Sequence, residues 1–173
     1  ELVFGNTLPI EVCALENNNH RFTYNDEVKY TLAASCLDDY RQVAEKINAR
    51  NDIGLVCIQH EFGLFGGEYG DYILSFILAL NKPIVTVFHT VLPNPDEKRK
   101  KVVHAIADLS DRIIVLTKNS QTLLTTHYDC PKAKTIVIPH GTHSILWEQK
   151  EKLKIKYGFS DRIVLSTFGL ISE

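Results

Sequence analysis

The sequence predicts an α/β protein with a Rossmann-like, doubly wound and mainly parallel sheet that carries helices on both faces. Strand-like apolar runs alternate with helical patterns of roughly 9–15 residues, which is typical of right-handed βαβ units. Some of these runs are almost wholly apolar, as expected of strands that are buried on both faces of a parallel sheet. Three of the seven histidines also fall at predicted strand ends, where ligands bind in sheets of this kind.

The composition is that of a soluble globular chain. Hydrophobic residues make up 45% and charged residues 23% of the 173 residues, a length that suits one domain or one domain with part of another. A net charge of −2 gives no basic surface for nucleic acid. No apolar run reaches the roughly 18 residues of a membrane span and no secretory signal opens the chain, so we expect a cytoplasmic protein.

The cysteines and the chain ends add two expectations. The four cysteines are scattered without a Cys-x-x-Cys pair, so we expect reduced thiols and no zinc site. The chain begins at Glu1 and stops at Glu173 directly after a strand-like run, which favours an excised domain or a truncated chain.

The first predicted elements are two strands and a helix. Residues 10–15 form a short strand candidate that ends in an asparagine turn, and residues 28–33 form a weaker one. A helix is predicted over 38–49, because two aspartates in its first turn favour the helix dipole. Its apolar stripe has helical spacing and consists of Tyr40, Val43, Ala44 and Ile47.

The middle of the chain supplies the most apolar strands. Strands are predicted over 53–58 and 84–88, with a helix over 71–80 between them. The next helix is expected to end near Leu109 and to begin with Asn94 as its N-cap and Pro95 at its first position.

The remaining elements continue the alternation. Strands are predicted over 112–116 and 135–138, and a helix that begins at Ser120 runs between them to about His127. A charged helix over 148–157, with Gly158 as its C-cap, precedes a last strand over 163–168.

Polar residues follow the predicted strands at one edge of the sheet. Because the carboxyl ends of parallel strands meet at that edge, we expect a titratable cluster there, formed by His60-Glu61, His89-Thr90, Thr117-Lys118 and His140-Gly141. Structural alternatives stay open for three of them. His60 could pack a turn, Glu61 could cap a helix or pair with a cation, and Gly141 could supply a positive φ.

A loop with glycines at 63, 66, 67 and 70 follows the first of these strand ends. Its spacing matches neither Gly-x-Gly-x-x-Gly nor a phosphate loop with Gly-Lys-Ser/Thr. Glu61, Glu68 and Asp71 flank the loop, and carboxylates repel phosphate. Carboxylates, imidazoles and closely approached backbone amides suit a polyhydroxy ligand such as a sugar, whereas the structural alternative is a flexible connection.

Four motifs carry a resemblance to a known family. In chain order they are Gln-His-Glu-Phe-Gly-Leu-Phe-Gly-Gly-Glu-Tyr-Gly (59–70), Pro-Ile-Val-Thr-Val-Phe-His-Thr-Val-Leu-Pro (83–93), Ile-Ile-Val-Leu-Thr (113–117) and Ile-Val-Ile-Pro-His-Gly (136–141). Together they resemble retaining glycosyltransferases of the GT-B fold, group 1, family 4 type. The terminal Leu-Ser-Thr-Phe-Gly-Leu-Ile-Ser-Glu resembles the strand that opens the second domain of that family.

The resemblance implies two Rossmann-like domains, of which the N-terminal one binds the acceptor and the C-terminal one the nucleotide-sugar donor. Residues 1–143 would be the acceptor-side domain without its first strand. Residues 144–173 would be a linker helix and the first strand of a truncated donor domain. The implied activity is transfer of a sugar to an acceptor hydroxyl with retention, absent from this chain alone. Neither a cofactor nor a metal is expected on this domain, and the expected partners are a sugar or glycan acceptor and the donor domain, with peripheral membrane contact left open.

The resemblance also assigns roles to residues. His89 matches the strand-end histidine that lies near the transferred sugar in the family, and it is the catalytic candidate. His140-Gly141 matches the family's Pro-Asn-Gly turn, with histidine in place of asparagine. The substrate-binding candidates are His60, Glu61, Gly66, Gly67, Glu68, Thr90, Thr117, His140 and Gly141.

Two alternative functions remain at this stage. A metal-dependent hydrolase could use His60, Glu61, His89 and also His140 as ligands, since imidazole and carboxylate suit zinc or manganese. Against this reading, neither His-x-His nor His-Glu-x-x-His occurs. The other alternative is a non-catalytic sugar-binding module.

Overall fold

The computed structural model describes residues 9–17, 22–141 and 147–167. Six strands and five α-helices lie in this part of the chain. In order they are β1 (Val12–Glu16), β2 (Val28–Ala33), α1 (Leu37–Asn48), β3 (Val56–His60), α2 (Ile73–Ala79), β4 (Ile84–Phe88), α3 (Glu97–Leu109), β5 (Arg112–Val115), α4 (Lys118–His127), β6 (Thr135–Val137) and α5 (Lys150–Lys156). Short 3₁₀ turns lie at Glu68–Gly70 and Lys132–Lys134.

All strand pairs are parallel, which confirms the predicted α/β class. β1 pairs with β2 in a two-stranded sheet, and β3, β4, β5 and β6 form a four-stranded sheet in that order. The chain divides into two compact units, residues 1–140 and residues 141–173. The predicted boundary between residues 143 and 144 falls outside the described residues.

One face of the four-stranded sheet carries the core. Successive crossovers from β3 to β6 run in the same direction, and right-handed crossovers of that kind place their helices on one face. Strand and helix residues therefore meet in a single apolar cluster. Its strand members include Ile58, Phe88, Ile113 and Val115, and its helix members include Val43, Phe76, Ile106 and Leu124.

The opposite face of this sheet is only partly covered. Paired residues on this face are Cys57 with Val85, Gln59 with Val87, and Ile114 with both Val87 and Ile136. None of them belongs to the apolar core cluster, and Ile136 is 45% exposed.

The helix starts differ from those predicted. Asp96, rather than Asn94, caps α3 by accepting a hydrogen bond from the Arg99 amide, because Asn94 adopts a left-handed backbone with φ 52°. Thr117, rather than Ser120, caps α4 by accepting from the Ser120 amide. The apolar stripe predicted for α1 is confirmed.

The C-terminal unit holds one confirmed and one wrong prediction. Gly158 follows α5 with φ 73°, the left-handed conformation that ends many helices. Residues 163–167 form no strand, and Phe168 lies outside the described residues. A strand needs a neighbour to accept and donate its backbone hydrogen bonds, and residues 163–167 pair with none in the described part of the chain. Leu165 is accordingly 92% exposed.

The glycine loop is fixed to the strand and helix before it. The Gly66 amide donates to the Tyr40 hydroxyl (3.0 Å), and this hydroxyl donates to the Ala34 carbonyl (2.9 Å). A β-carbon at Gly66 would overlap the Ala34 carbonyl oxygen and lie 2.8 Å from the Tyr72 ring. The loop therefore closes against backbone at a point where only glycine fits.

This packing predicts that Gly66→Ala destabilises the protein. We expect the free energy of unfolding to fall by about 1–3 kcal/mol, because the methyl group forces the backbone of residues 34 and 66 apart. Gly54→Ala is the matched control, since nothing lies within 4 Å of a β-carbon there. Urea denaturation of both variants measures the difference, and equal losses would contradict the proposed close contact.

Candidate functional site

The pairing of β3 with β4 determines where the strand-end side chains point. His60 pairs with Phe88, and the His89 amide donates to the His60 carbonyl (3.0 Å), which extends the ladder by one bond. Side chains alternate between the two faces of a strand. His60 therefore points to the helix-covered face, while Gln59 and His89 share the open face.

His60 is a core residue in this structure. It is 1% exposed, and its ring lies 5.4, 5.7 and 4.9 Å from the rings of Phe62, Phe65 and Phe88. Burial lowers the pKa of His60 from 6.5 to about 4, so the imidazole is neutral at neutral pH. Its Nδ1 has no hydrogen-bond partner among the described residues. The assignment of His60 to ligand contact is therefore corrected to packing, which was the structural alternative.

Glu61 and Thr90 tie the ends of β3 and β4 together. One carboxylate oxygen of Glu61 accepts from the Phe62 amide (3.0 Å), and the other accepts from the Thr90 hydroxyl (2.9 Å). Both side chains are half-buried. The bond from Thr90 joins the loop after β4 to the loop after β3, and the bond from the Phe62 amide fixes the orientation of the Glu61 carboxylate.

His89 lies exposed at the end of β4 with two polar neighbours. Its Nε2 lies 2.7 Å from Oε1 of Gln59, and its ring centroid lies 6.1 Å from that of His140. His89 and His140, predicted from separate strand ends, are thus brought together. Gln59 was missed as a site residue, although strict alternation along β3 places it on the face opposite His60.

The glycine loop is joined to α3 by charge. Glu68 forms an exposed ion pair with Lys98 (2.8 Å), and the guanidinium of Arg99 lies 5.4 Å from the Phe62 ring and 4.9 Å from the Tyr69 ring. Arg99 thus contacts both ends of the loop through cation–π interactions. The charge of Glu68 is offset by Lys98, so the expected repulsion of phosphate by acidic flanks is weaker than the sequence indicates.

Of the other predicted substrate-binding residues, two have a role in the fold and two are exposed to solvent. Thr117 accepts from the Ser120 amide (3.0 Å) and is exposed. Gly67 has φ 84°, and a β-carbon there would overlap the Asp71 carboxylate. His140 and Gly141 are exposed, and Gly141 lacks the positive φ that was its structural alternative.

No group of three or more His, Cys, Asp or Glu side chains in residues 9–17, 22–141 and 147–167 could hold a metal ion. The ligand set of the hydrolase alternative is not assembled, because His60 and His89 point to opposite faces of the sheet. No helix in the same ranges is long and apolar enough to cross a membrane.

The buried imidazole predicts a specific dependence of stability on pH. Unfolded His60 binds a proton below pH 6.5, whereas folded His60 does so only below about 4. In this window the unfolded state binds more protons, so stability falls as the pH is lowered. Between pH 6.5 and pH 4, the free energy of unfolding of the wild-type chain should fall by on the order of 3 kcal/mol more than that of His60→Gln.

Urea denaturation of both chains across this pH range measures that difference. The change with pH is compared within each chain, so a destabilisation by the substitution that is the same at every pH cancels. Parallel curves for the two chains would show that His60 does not titrate with a lowered pKa.

Comparisons with known proteins agree with the geometry. The family model described as Glycosyltransferase Family 4 matches residues 15–144, which include all six strands except the first three residues of β1. Comparisons with curated protein sequences and with solved structures returned no significant match. The family match confirms the resemblance carried by the four motifs. The chain therefore belongs to glycosyltransferase family 4 and contains an N-terminal domain of the GT-B type.

Proposed function

We propose that this chain forms the acceptor-binding half of a glycosyltransferase that transfers a sugar from a nucleotide-sugar donor to an acceptor hydroxyl with retention. The observation that carries the proposal is the exposed His89 at the carboxyl end of β4, in a chain that belongs to a glycosyltransferase family. Ligands of open parallel sheets bind outside this edge.

His89 is proposed to contact the reacting sugars. Its imidazole is exposed and hydrogen-bonded to Gln59 at 2.7 Å, so it is oriented and still open to a ligand. In a retaining transfer, positive charge develops at the anomeric carbon, and an oriented polar group beside it stabilises that charge and positions the acceptor hydroxyl. His140, with its ring 6.1 Å from that of His89, is proposed to add a second contact to the same ligand.

The glycine loop is proposed to form the other wall of the acceptor site. The Gly66 amide is engaged by Tyr40, and Glu68 by Lys98, so these groups shape the loop. Arg99 fixes the loop to α3 through Phe62 and Tyr69. A fixed wall reduces the ordering cost of binding a flexible glycan.

The donor is proposed to bind to a separate domain. Residues 9–17, 22–141 and 147–167 contain no glycine-rich phosphate motif of the dinucleotide or phosphate-loop type. We therefore propose that the nucleotide sugar is held by a C-terminal domain, that this chain alone is inactive, and that the complete enzyme acts in the cytoplasm.

The proposal predicts a loss of transfer on His89→Ala in a protein that includes the donor domain. We expect kcat/KM to fall about 10²–10³-fold, the typical effect of removing one oriented polar group from a transition state. His127→Ala is the control, because His127 ends α4 and lies away from the strand ends.

Product formation from a panel of nucleotide sugars and simple glycan acceptors measures this change. An unchanged rate in His89→Ala would exclude the proposed contact. Acceptor binding without transfer by the wild-type protein would instead favour a non-catalytic sugar-binding module.

A further inference from the structure

We propose that Gln59 is a positioning residue that fixes the proton of neutral His89 on Nε2, so that a ligand meets an unprotonated Nδ1. The inference concerns the chemical form of His89, and its relevance to catalysis rests on the proposed function. It follows from two side-chain contacts on the open face of β3 and β4 and from one backbone hydrogen bond between these strands.

The first contact sets the orientation of the Gln59 amide. Gln59 and Cys57 lie two residues apart on β3 and share a face, and the Gln59 Nε2 lies 3.2 Å from the Cys57 sulfur. In this contact the amide NH₂ of Gln59 donates to the sulfur, which accepts through a lone pair. The amide nitrogen therefore faces Cys57, and the amide oxygen faces away from it.

The second contact sets the tautomer of His89. Oε1 of Gln59 lies 2.7 Å from Nε2 of His89, and a carbonyl oxygen only accepts hydrogen bonds. Nε2 must then carry the proton. A neutral imidazole has one protonated nitrogen, so Nδ1 is left as an acceptor.

The third contact holds the histidine backbone in place. The His89 amide donates to the His60 carbonyl at 3.0 Å, which continues the β3–β4 ladder to the base of the imidazole. No other side-chain hydrogen bond to His89 occurs in the described part of the chain, so Nδ1 is open to a ligand. His89 presented in this form selects a group that donates a hydrogen, such as a sugar hydroxyl, over an ionised oxygen.

The tautomer can be measured directly by NMR. Long-range ¹H–¹⁵N correlations of the ¹⁵N-histidine-labelled chain, recorded at about pH 8 where imidazoles are neutral, distinguish protonated from unprotonated ring nitrogens. His89→Gln identifies the resonances of His89. In the wild-type chain we expect the proton on Nε2.

Substitutions at Gln59 are expected either to move the His89 proton to Nδ1 or to leave it on Nε2, depending on whether the new side chain donates or accepts hydrogen bonds. Lysine only donates hydrogen bonds, so Gln59→Lys should turn Nε2 into the acceptor and shift the tautomer ratio toward the Nδ1-protonated form by about two- to tenfold. Glutamate only accepts when ionised, so Gln59→Glu should retain the proton on Nε2. Gln42→Lys, on the exposed face of α1, introduces the same charge elsewhere and should leave His89 unchanged.

Gln59→Leu provides a second test that does not introduce a charge. Without an acceptor, the Nε2 proton should exchange with solvent faster than in the wild-type chain. A proton on Nδ1 in the wild-type chain, or a tautomer ratio equal in the wild-type, Gln59→Lys and Gln59→Leu chains, would overturn the inference.

The NMR measurement is independent of catalysis. If His89 shows the expected tautomer but the enzyme with its donor domain transfers no sugar, the proposed function fails and the role of Gln59 stands. If transfer occurs but Gln59→Lys and Gln59→Leu leave the tautomer ratio unchanged, the inference about Gln59 fails alone.

Discussion

The parallel register between β3 and β4 is the constraint on which the candidate site depends. It places His60 opposite Phe88, on the helix-covered face, and it leaves Gln59 and His89 together on the open face. A shift of one residue in either strand would exchange these faces, because side chains alternate along a strand. The cost of exposing Phe88 and burying Gln59 makes such a shift unfavourable.

The two faces of this edge therefore have different properties. On the covered side, a neutral imidazole fills space among three phenylalanines. The Glu61–Thr90 hydrogen bond joins the loops that follow β3 and β4. On the open side, His89 and His140 remain accessible. Rigid packing beneath an exposed imidazole is a suitable arrangement for a group that must act with a fixed orientation.

Sequence patterns predicted the order of the elements from 28 to 137, because apolar periodicity and turn residues are local signals. They located β3 at residues 53–58, whereas pairing with β4 moves the strand to Val56–His60. Because of this shift, His60 belongs to the strand and not to the loop after it, and its side chain is buried in the core. The caps of α3 and α4 were missed because local backbone conformation at Asn94 and Thr117 is not visible in residue type alone. The Glu68–Lys98 pair joins residues 30 positions apart, which no local pattern indicates.

The most direct test of the central claim compares sugar transfer by this chain with transfer by a protein that adds the donor domain. Both proteins would be supplied with the same nucleotide sugars and glycan acceptors, and the anomeric configuration of the product would be read by NMR. We expect transfer with retention by the longer protein and none by the 173-residue chain. Transfer at a comparable rate by this chain alone, or an inverted product, would contradict it.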